Sequence, residues 1–405
     1  MDPTDTADRS GKDAESIAAS FRRVGEDAES VASAERLRAT FDAPAPLTVG
    51  IEEEVMLLDA TTLDLAPRAE EVLAAAGGDE RFKLELPAAQ LELVTLPCAT
   101  VGEAAAQLEA GRAALHQAAS GIGRLAAAGA HPTAAPEGVL NGHEHYRHTR
   151  AEFGPVAHAQ LVFGLHVHVH VHVRVAGARR AVAVHNALRS YLPQLAALAA
   201  NAPFHAGRDT GLASVRPKIA ELLPRQGVPP AVEDLSELAA AFRWGAAAGT
   251  LARPDHWWWE LRLHPTLGTI EVRVPDQQTT VSESAAVAAV IHSLVVTLAE
   301  CHDAGVPLTV HPTWRIAENR WSAGRHGLAG TLADLQTGEP RPTRDRLRAL
   351  LEWLAPAAAR AGCLGELEAA DRLVTANGSE RQRQVAAEEG LEGLMGLAGR
   401  PLPRN

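Results

Sequence analysis

Strict alternation of apolar and polar residues marks the stretch FGLHVHVHVHVRV, residues 163–175. A period of two is that of a β-strand, whose successive side chains point to opposite faces. His166, His168, His170 and His172 therefore share one face, while the branched residues Val167, Val169, Val171 and Val173 line the other against a core. The same reasoning predicts a strand in LTVGIEEEVMLLD and strand pairs in RFKLELPAAQLELVTLP and DHWWWELRLHPTLGTIEVRVPD. TVGEAAAQLEAGRAALHQAASGIGRLAAAGA is Ala-rich and ends in glycine, the pattern of a long helix. ARRAVAVHNALRSYLPQLAALAA predicts further helices, and from about residue 281 the chain reads as mostly helical. Strands grouped around loops and followed by helices imply an α+β fold, with a largely antiparallel sheet covered on one side.

Composition narrows the setting. Residues 1–44 are rich in Asp, Glu, Ser and Ala and poor in large apolar side chains, which predicts a solvated extension with one loose helix around residues 16–40. Residues 45–405 then form a single folded domain. The net charge of -12 argues against a partner recognised through nucleic-acid phosphates. Cys98, Cys301 and Cys363 are scattered and odd in number, as expected in a reducing cytoplasm. No signal peptide is legible at the N-terminus, and no apolar run is read as reaching the ~20 residues of a membrane span. A cytoplasmic protein without membrane partners is expected, with a homodimer as the default assembly.

Four groups of residues carry candidate chemistry. In IEEEV, Glu52 and Glu54 share a strand face about 7 Å apart while Glu53 points away. Such a pair either blunts an exposed edge or holds a hard divalent cation. Glu85 and Glu92 lie in LELPAAQLELVT, where Glu92 opposes Leu91 and Leu93 and gains meaning only if its strand neighbours the first. In GTIEVRVPD, Glu271 and Arg273 project together opposite Ile270, Val272 and Val274. They form either an ion pair of small value or a metal ligand beside a phosphate clamp. Arg208 and Arg216 sit in the Gly-containing stretch FHAGRDTGLASVRPK, Arg320 and Arg325 in ENRWSAGRHG, and Arg381 and Arg383 in NGSERQRQ. Such loops hold anions or are simply mobile.

The histidine ladder is too long for one ion, because neighbours lie ~6.6 Å apart and the outer two ~20 Å apart. One cation reaches two of them at most. No phosphate-binding G-x-x-x-x-G-K-[ST], G-x-G-x-x-G, H-E-x-x-H or G-x-S-x-G occurs. A bound nucleotide would have to be held by metal ions and arginines.

GIEEEVMLLD, ELPAAQLELVTLPC, GLHVHV, GRDTGLASVR, WWWELRLHPTLGTIEVRVPDQQT, ENRWSAGRHGL and NGSERQRQ resemble, in the same order, the glutamate-cysteine ligase type 2 family of carboxylate-amine ligases. The resemblance spans roughly residues 47–397. It implies the fold of glutamine synthetase and the guanidino kinases, a curved, mainly antiparallel sheet with ATP and divalent metal on its concave face and helices outside. It also implies phosphorylation of a glutamate carboxylate by ATP and attack on the acyl phosphate by an amine such as that of cysteine. Matched residue by residue, it points to Glu52, Glu54, Glu92, His166 and Glu271 as ligands of Mg²⁺ or Mn²⁺. Arg273 becomes a phosphate contact, joined at the nucleotide by Arg325, and Arg208 and Arg216 become grips on the substrate carboxylate or the transferring phosphoryl group.

Two features depart from the family pattern. Relatives turn at a glycine after GLHVHV, whereas here His170 and His172 extend the strand, so His166 is placed at the metal, His168 beside it, and the last two beyond reach. Trp258 or Trp259 is read as core rather than as a stacking platform. Two rival functions remain at this level: a guanidino-kinase-like phosphotransferase, and a histidine-rich metal-binding protein with a decayed active site. The acceptor amine is not legible, since its pocket needs only shape and a few polar groups.

Overall fold

The computed structural model describes residues 33–43, 46–170, 177–251 and 256–398. Seven strands build one antiparallel sheet: β1 (Val49–Leu58), β2 (Phe82–Leu84), β3 (Gln90–Val94), β4 (Arg124–Ala126), β5 (Leu165–His170), β6 (Leu261–Leu263) and β7 (Thr269–Val272). Their order is β2-β3-β1-β5-β7-β6. The acidic strand β1 is central. Its residues Glu52 to Met56 pair with β3, while its other edge pairs with β5 through residue 53 and with β4 from Met56 onward.

The pleat sorts the sheet into two chemically different faces. Ile51, Val55, Leu91, Leu93, Val167, Val169, Ile270 and Val272 point into the main hydrophobic core. Glu52, Glu54, Glu92, His166, His168 and Glu271 alternate with them and point the other way. Burying one face beneath helices fixes the register, because a slip of one residue would drive every carboxylate into the core.

The helical layer is organised around the helix Val281–Asp303, capped by Thr280 and Glu283 in a reciprocal capping box. It packs against the helices Val101–Ala118, Gly177–Leu188, Thr343–Arg360 and Leu364–Thr375. Its 23 residues and mean hydropathy of 1.7 make it long and apolar enough to cross a membrane, contrary to the sequence reading that no such run exists. The protein itself covers it, with 83% of its most apolar window buried.

Two further sequence readings shift. Residues 1–32 lie outside the described residues, but the helix Ala34–Asp42 belongs to the domain rather than to a solvated extension. Its Leu37 and Phe41 are buried in the main core, and Asp42 accepts a hydrogen bond from the Ala178 backbone at 2.8 Å. Only two large apolar residues in nine made this segment look solvated. Strand β5 is described to His170, and the expected continuation through His172 lies outside the described residues.

Candidate active site

Cross-strand register places the site. Glu52 is the direct partner of His166, Glu54 of Glu92, and His168 of Glu271. Four strands thus bring six carboxylate or imidazole groups, with Glu52 among them, onto one face. Ligand atoms of Glu52, Glu92 and His166 lie within 4.8 Å of one another, and so do those of Glu52, His168 and Glu271. One cation was expected to reach two of the histidines at most, and His166 and His168 instead fall into two triads joined by one carboxylate. His168, expected beside the metal, is as well placed in one triad as His166 is in the other.

His166 Nδ1 lies 3.0 Å from Glu52 Oε2 and 3.3 Å from Arg273 Nη1, and its Nε2 lies 3.7 Å from Glu54 Oε1. That Nε2 is buried and has no hydrogen-bond partner. Burial, reinforced by Arg273, holds His166 down at about 4, so the ring is neutral at pH 7 and its nitrogen can accept a cation. His168 Nε2 lies 3.3 Å from Glu52 Oε1 and 3.8 Å from Glu271 Oε1. Burial lowers it, but Glu52 and Glu271 outweigh that and raise it.

The carboxylates divide by their neighbours. Burial would raise Glu52, yet the charge of His168 and the hydrogen bond from His166 hold it well below the usual range. Glu54 is pushed up to about 7 by burial against the pull of Arg216 and Arg273. Glu92 and Glu85 are also raised, first by burial and then by neighbouring carboxylates, Glu52 for the one and Glu92 for the other. Crowded buried acids of this kind fit a divalent cation, which supplies the missing positive charge. Together with the unpartnered His166 nitrogen, they make the residues present suitable for Mg²⁺ or Mn²⁺.

Glu271 is fully buried and clamped by two arginines. Arg273 Nη1 donates to its Oε1 at 2.6 Å, and Arg262, its cross-strand partner, donates through both Nε and Nη2. Burial opposes ionisation of Glu271, but Arg262 and Arg273 hold its carboxyl well below the usual range. Arg262 was not singled out from the sequence, although counting back across the β6–β7 hairpin from Glu271 reaches it.

A cavity of about 750 Å³ opens over this face. Glu52, Glu54, Glu92 and His166 line it, with Arg216, Arg262 and Arg273 on its wall, while His168 and Glu271 are not among its lining residues. Glu85 and Lys83 also reach it, and Lys83 Nζ is 3.2 Å from Glu92 Oε1. Arg216 is anchored by hydrogen bonds to the carbonyls of Arg273 and Val274 at 3.1 and 3.3 Å. Arg208 and Arg325 are not among the lining residues: Arg208 is exposed on a two-stranded hairpin, and the exposed Arg325 donates to the Gly211 carbonyl. Trp258 is a wall residue rather than core, half-buried and stacked on His256 with ring centroids 5.4 Å apart. Trp257 carries the packing role, against Phe242 at 4.6 Å.

Glu53 points away from the cavity, as expected, but into a buried ion pair. Arg112 holds it through Nε and Nη2, both at 2.7 Å, and Ser284 donates to it as well. Nothing in the spacing of the sequence announces a partner 59 residues away.

Residues 48–395 match the model of the glutamate-cysteine ligase family 2. The chain belongs to that family. A Rubrobacter xylanophilus protein provisionally named glutamate-cysteine ligase 2-3 is 39% identical over 360 residues, covering 87% of this chain and 96% of the relative. A Frankia alni protein provisionally named glutamate-cysteine ligase 2-1 is 35% identical, covering 86% and 93%. Among solved structures, a Francisella tularensis glutamate-cysteine ligase in complex with AMP shares the fold at a TM-score of 0.66 and 13% identity, covering 89% of both chains. A bifunctional glutathione synthetase from Pasteurella multocida matches at a TM-score of 0.57 and 13% identity, covering 89% of this chain and 54% of its own. As a member of glutamate-cysteine ligase family 2, the protein is a carboxylate-amine ligase, an enzyme that forms a carbon-nitrogen bond. The expected α+β architecture, with one sheet face given to the site and helices on the other, is the architecture observed.

Proposed function

We propose that the protein joins the side-chain carboxylate of glutamate to the amine of cysteine or a related amine, at the expense of ATP. The observation that carries this reading is the pair of triads sharing Glu52, set beside Arg273 and Arg216 on the wall of one cavity. AMP in the Francisella tularensis relative supports an adenine nucleotide as the phosphoryl donor.

Glu52, Glu92 and His166 would hold one divalent cation and Glu52, His168 and Glu271 a second, with Glu54 adjoining the first. Bound there, the cations would neutralise phosphate charge and polarise the transferring group. Arg273 and Arg216 present guanidinium groups to the same space, where they would bind phosphate oxygens and the acid's carboxylate. Transfer of the γ-phosphoryl group to a carboxylate oxygen releases ADP. Attack of the amine nitrogen on the acyl carbon then forms the amide as the carbon-oxygen bond to phosphate breaks. Neither step needs an enzyme nucleophile, so positioning and charge stabilisation supply the rate.

The test is ADP release with glutamate and ATP-Mg²⁺ held constant against a panel of amino acids and amines. Amine-dependent release of ADP with stoichiometric free phosphate is expected. Phosphoryl transfer without free phosphate would replace the ligase with a kinase. Glu54→Gln and Glu271→Gln should each abolish the signal, and undiminished turnover in both would sink the metal assignment.

A further inference from the structure

A second cavity, of about 280 Å³, abuts the first. Pro217, Gln226 and Gly227 line both, so the two adjoin there. A buried ion pair spans that junction: Glu260 lines the larger cavity and Arg320 the smaller, with contacts of 2.6 to 2.9 Å between them. Glu260 is tied in turn to the reaction side, because its carbonyl accepts the Arg273 backbone N–H at 2.8 Å. The smaller cavity is thus built onto the residue that reaches Glu271.

Its lining is amphoteric. Lys218 and Arg320 bring positive charge and Glu221 negative charge, while Leu212, Val228 and Trp321 offer apolar surface. Lys218 Nζ lies 5.2 Å over the Trp321 ring and 2.6 Å from Glu221 Oε2, so both signs of charge are held beside the aromatic wall. Its volume falls below the roughly 300–1,000 Å³ of pockets that enclose drug-sized ligands, so it is too small for a nucleotide. A small zwitterion with a short side chain satisfies both the charge pattern and the size.

We propose that this smaller cavity is the subsite of the amine-bearing substrate, a small amino acid, and that Trp321 limits the side chain it accepts. The inference rests on the ligase reading above. From this subsite the ammonium first gives one proton to solvent, the neutral amine nitrogen then bonds to the acyl carbon as the carbon-oxygen bond to phosphate breaks, and the second amine proton leaves with the departing phosphate. The larger cavity keeps the nucleotide and the acid.

Hydroxylamine separates the two halves of the reaction, because this small nucleophile traps an acyl phosphate as a hydroxamate without needing an amino-acid subsite. Ala317→Phe would fill the cavity from an exposed helix position. It should raise KM for the amino-acid acceptor about tenfold or more, with glutamyl hydroxamate formation held within about twofold. Trp321→Ala, also at an exposed position, should admit acceptors with larger side chains. Equal loss of both reactions in Ala317→Phe, or an unchanged acceptor KM and range in both variants, overturns the subsite while leaving the ligase standing. No hydroxamate from the unaltered protein would instead overturn the ligase reading, and this inference with it.

Discussion

Glu54 and Glu92 face each other as direct cross-strand partners between β1 and β3, both carboxylates buried. Like charges in that position destabilise a sheet, and the folded protein keeps them where a cation would be needed.

That relationship predicts opposite effects on folding and activity. Burial raises Glu54 to about 7, above its ordinary value of 4.5, so the folded chain resists its ionisation and stability falls as pH rises from 4.5 to 7. In chelator at pH 7.5, Glu54→Gln should therefore be more stable than the parent by about 1–2 kcal/mol, measured by urea unfolding. Its amine-dependent ADP release should be lost. A variant that is both less stable and inactive would place Glu54 in the scaffold instead.

The histidines should separate by position. His168→Ala is expected to weaken Mn²⁺ binding, read by titration calorimetry, by roughly 10–100-fold, comparable with His166→Ala. His170 is held at the end of the described strand by Thr48 Oγ1 at 2.7 Å and the Leu267 carbonyl at 3.0 Å, and His170→Ala should leave metal affinity near that of the parent. Equal losses in all three would make the ladder a structural unit.

The arginines should separate by the cavity wall. Arg216→Ala and Arg273→Ala are expected to lower kcat by roughly 10²–10³. Smaller effects are expected from Arg208→Ala and Arg325→Ala, which lie outside the lining. Steady-state kinetics on the four variants checks the order.

The Glu53–Arg112 pair should govern folding rather than chemistry. Removing one partner leaves a buried charge uncompensated, so Arg112→Met should cost ~3–5 kcal/mol in denaturant unfolding. Metal affinity measured on the remaining folded fraction should be unchanged.

A pH dependence of stability independent of the site follows from His185, which is buried and held near 4 by burial. Its folded value lies below the ordinary 6.5, so protonation favours the unfolded chain. Its contribution is present above 6.5 and is lost as pH falls from 6.5 to 4. His185→Asn should flatten urea-unfolding free energy across that window by about 1–3 kcal/mol.

Much of this was legible along the chain because a strand with one buried face must alternate. Period two alone placed Glu52, Glu54, Glu92, His166, His168 and Glu271 on faces opposite Ile51, Leu91, Val167 and Ile270, and the structure keeps that division. The resemblance of seven ordered segments reached the family for the same reason: its residues are local runs. Periodicity says nothing about which strands are neighbours or in what register. Only tertiary pairing decided that Glu52 stands between His166 and His168, that Arg262 meets Glu271, and that Glu53 finds Arg112. It also set Arg208 and Arg325 apart from the cavity and drew the helix Ala34–Asp42 into the core. Side-chain direction is a local property of the backbone, whereas contacts between distant residues come from packing the whole sheet beneath its helices, and a charge acquires its partner only there.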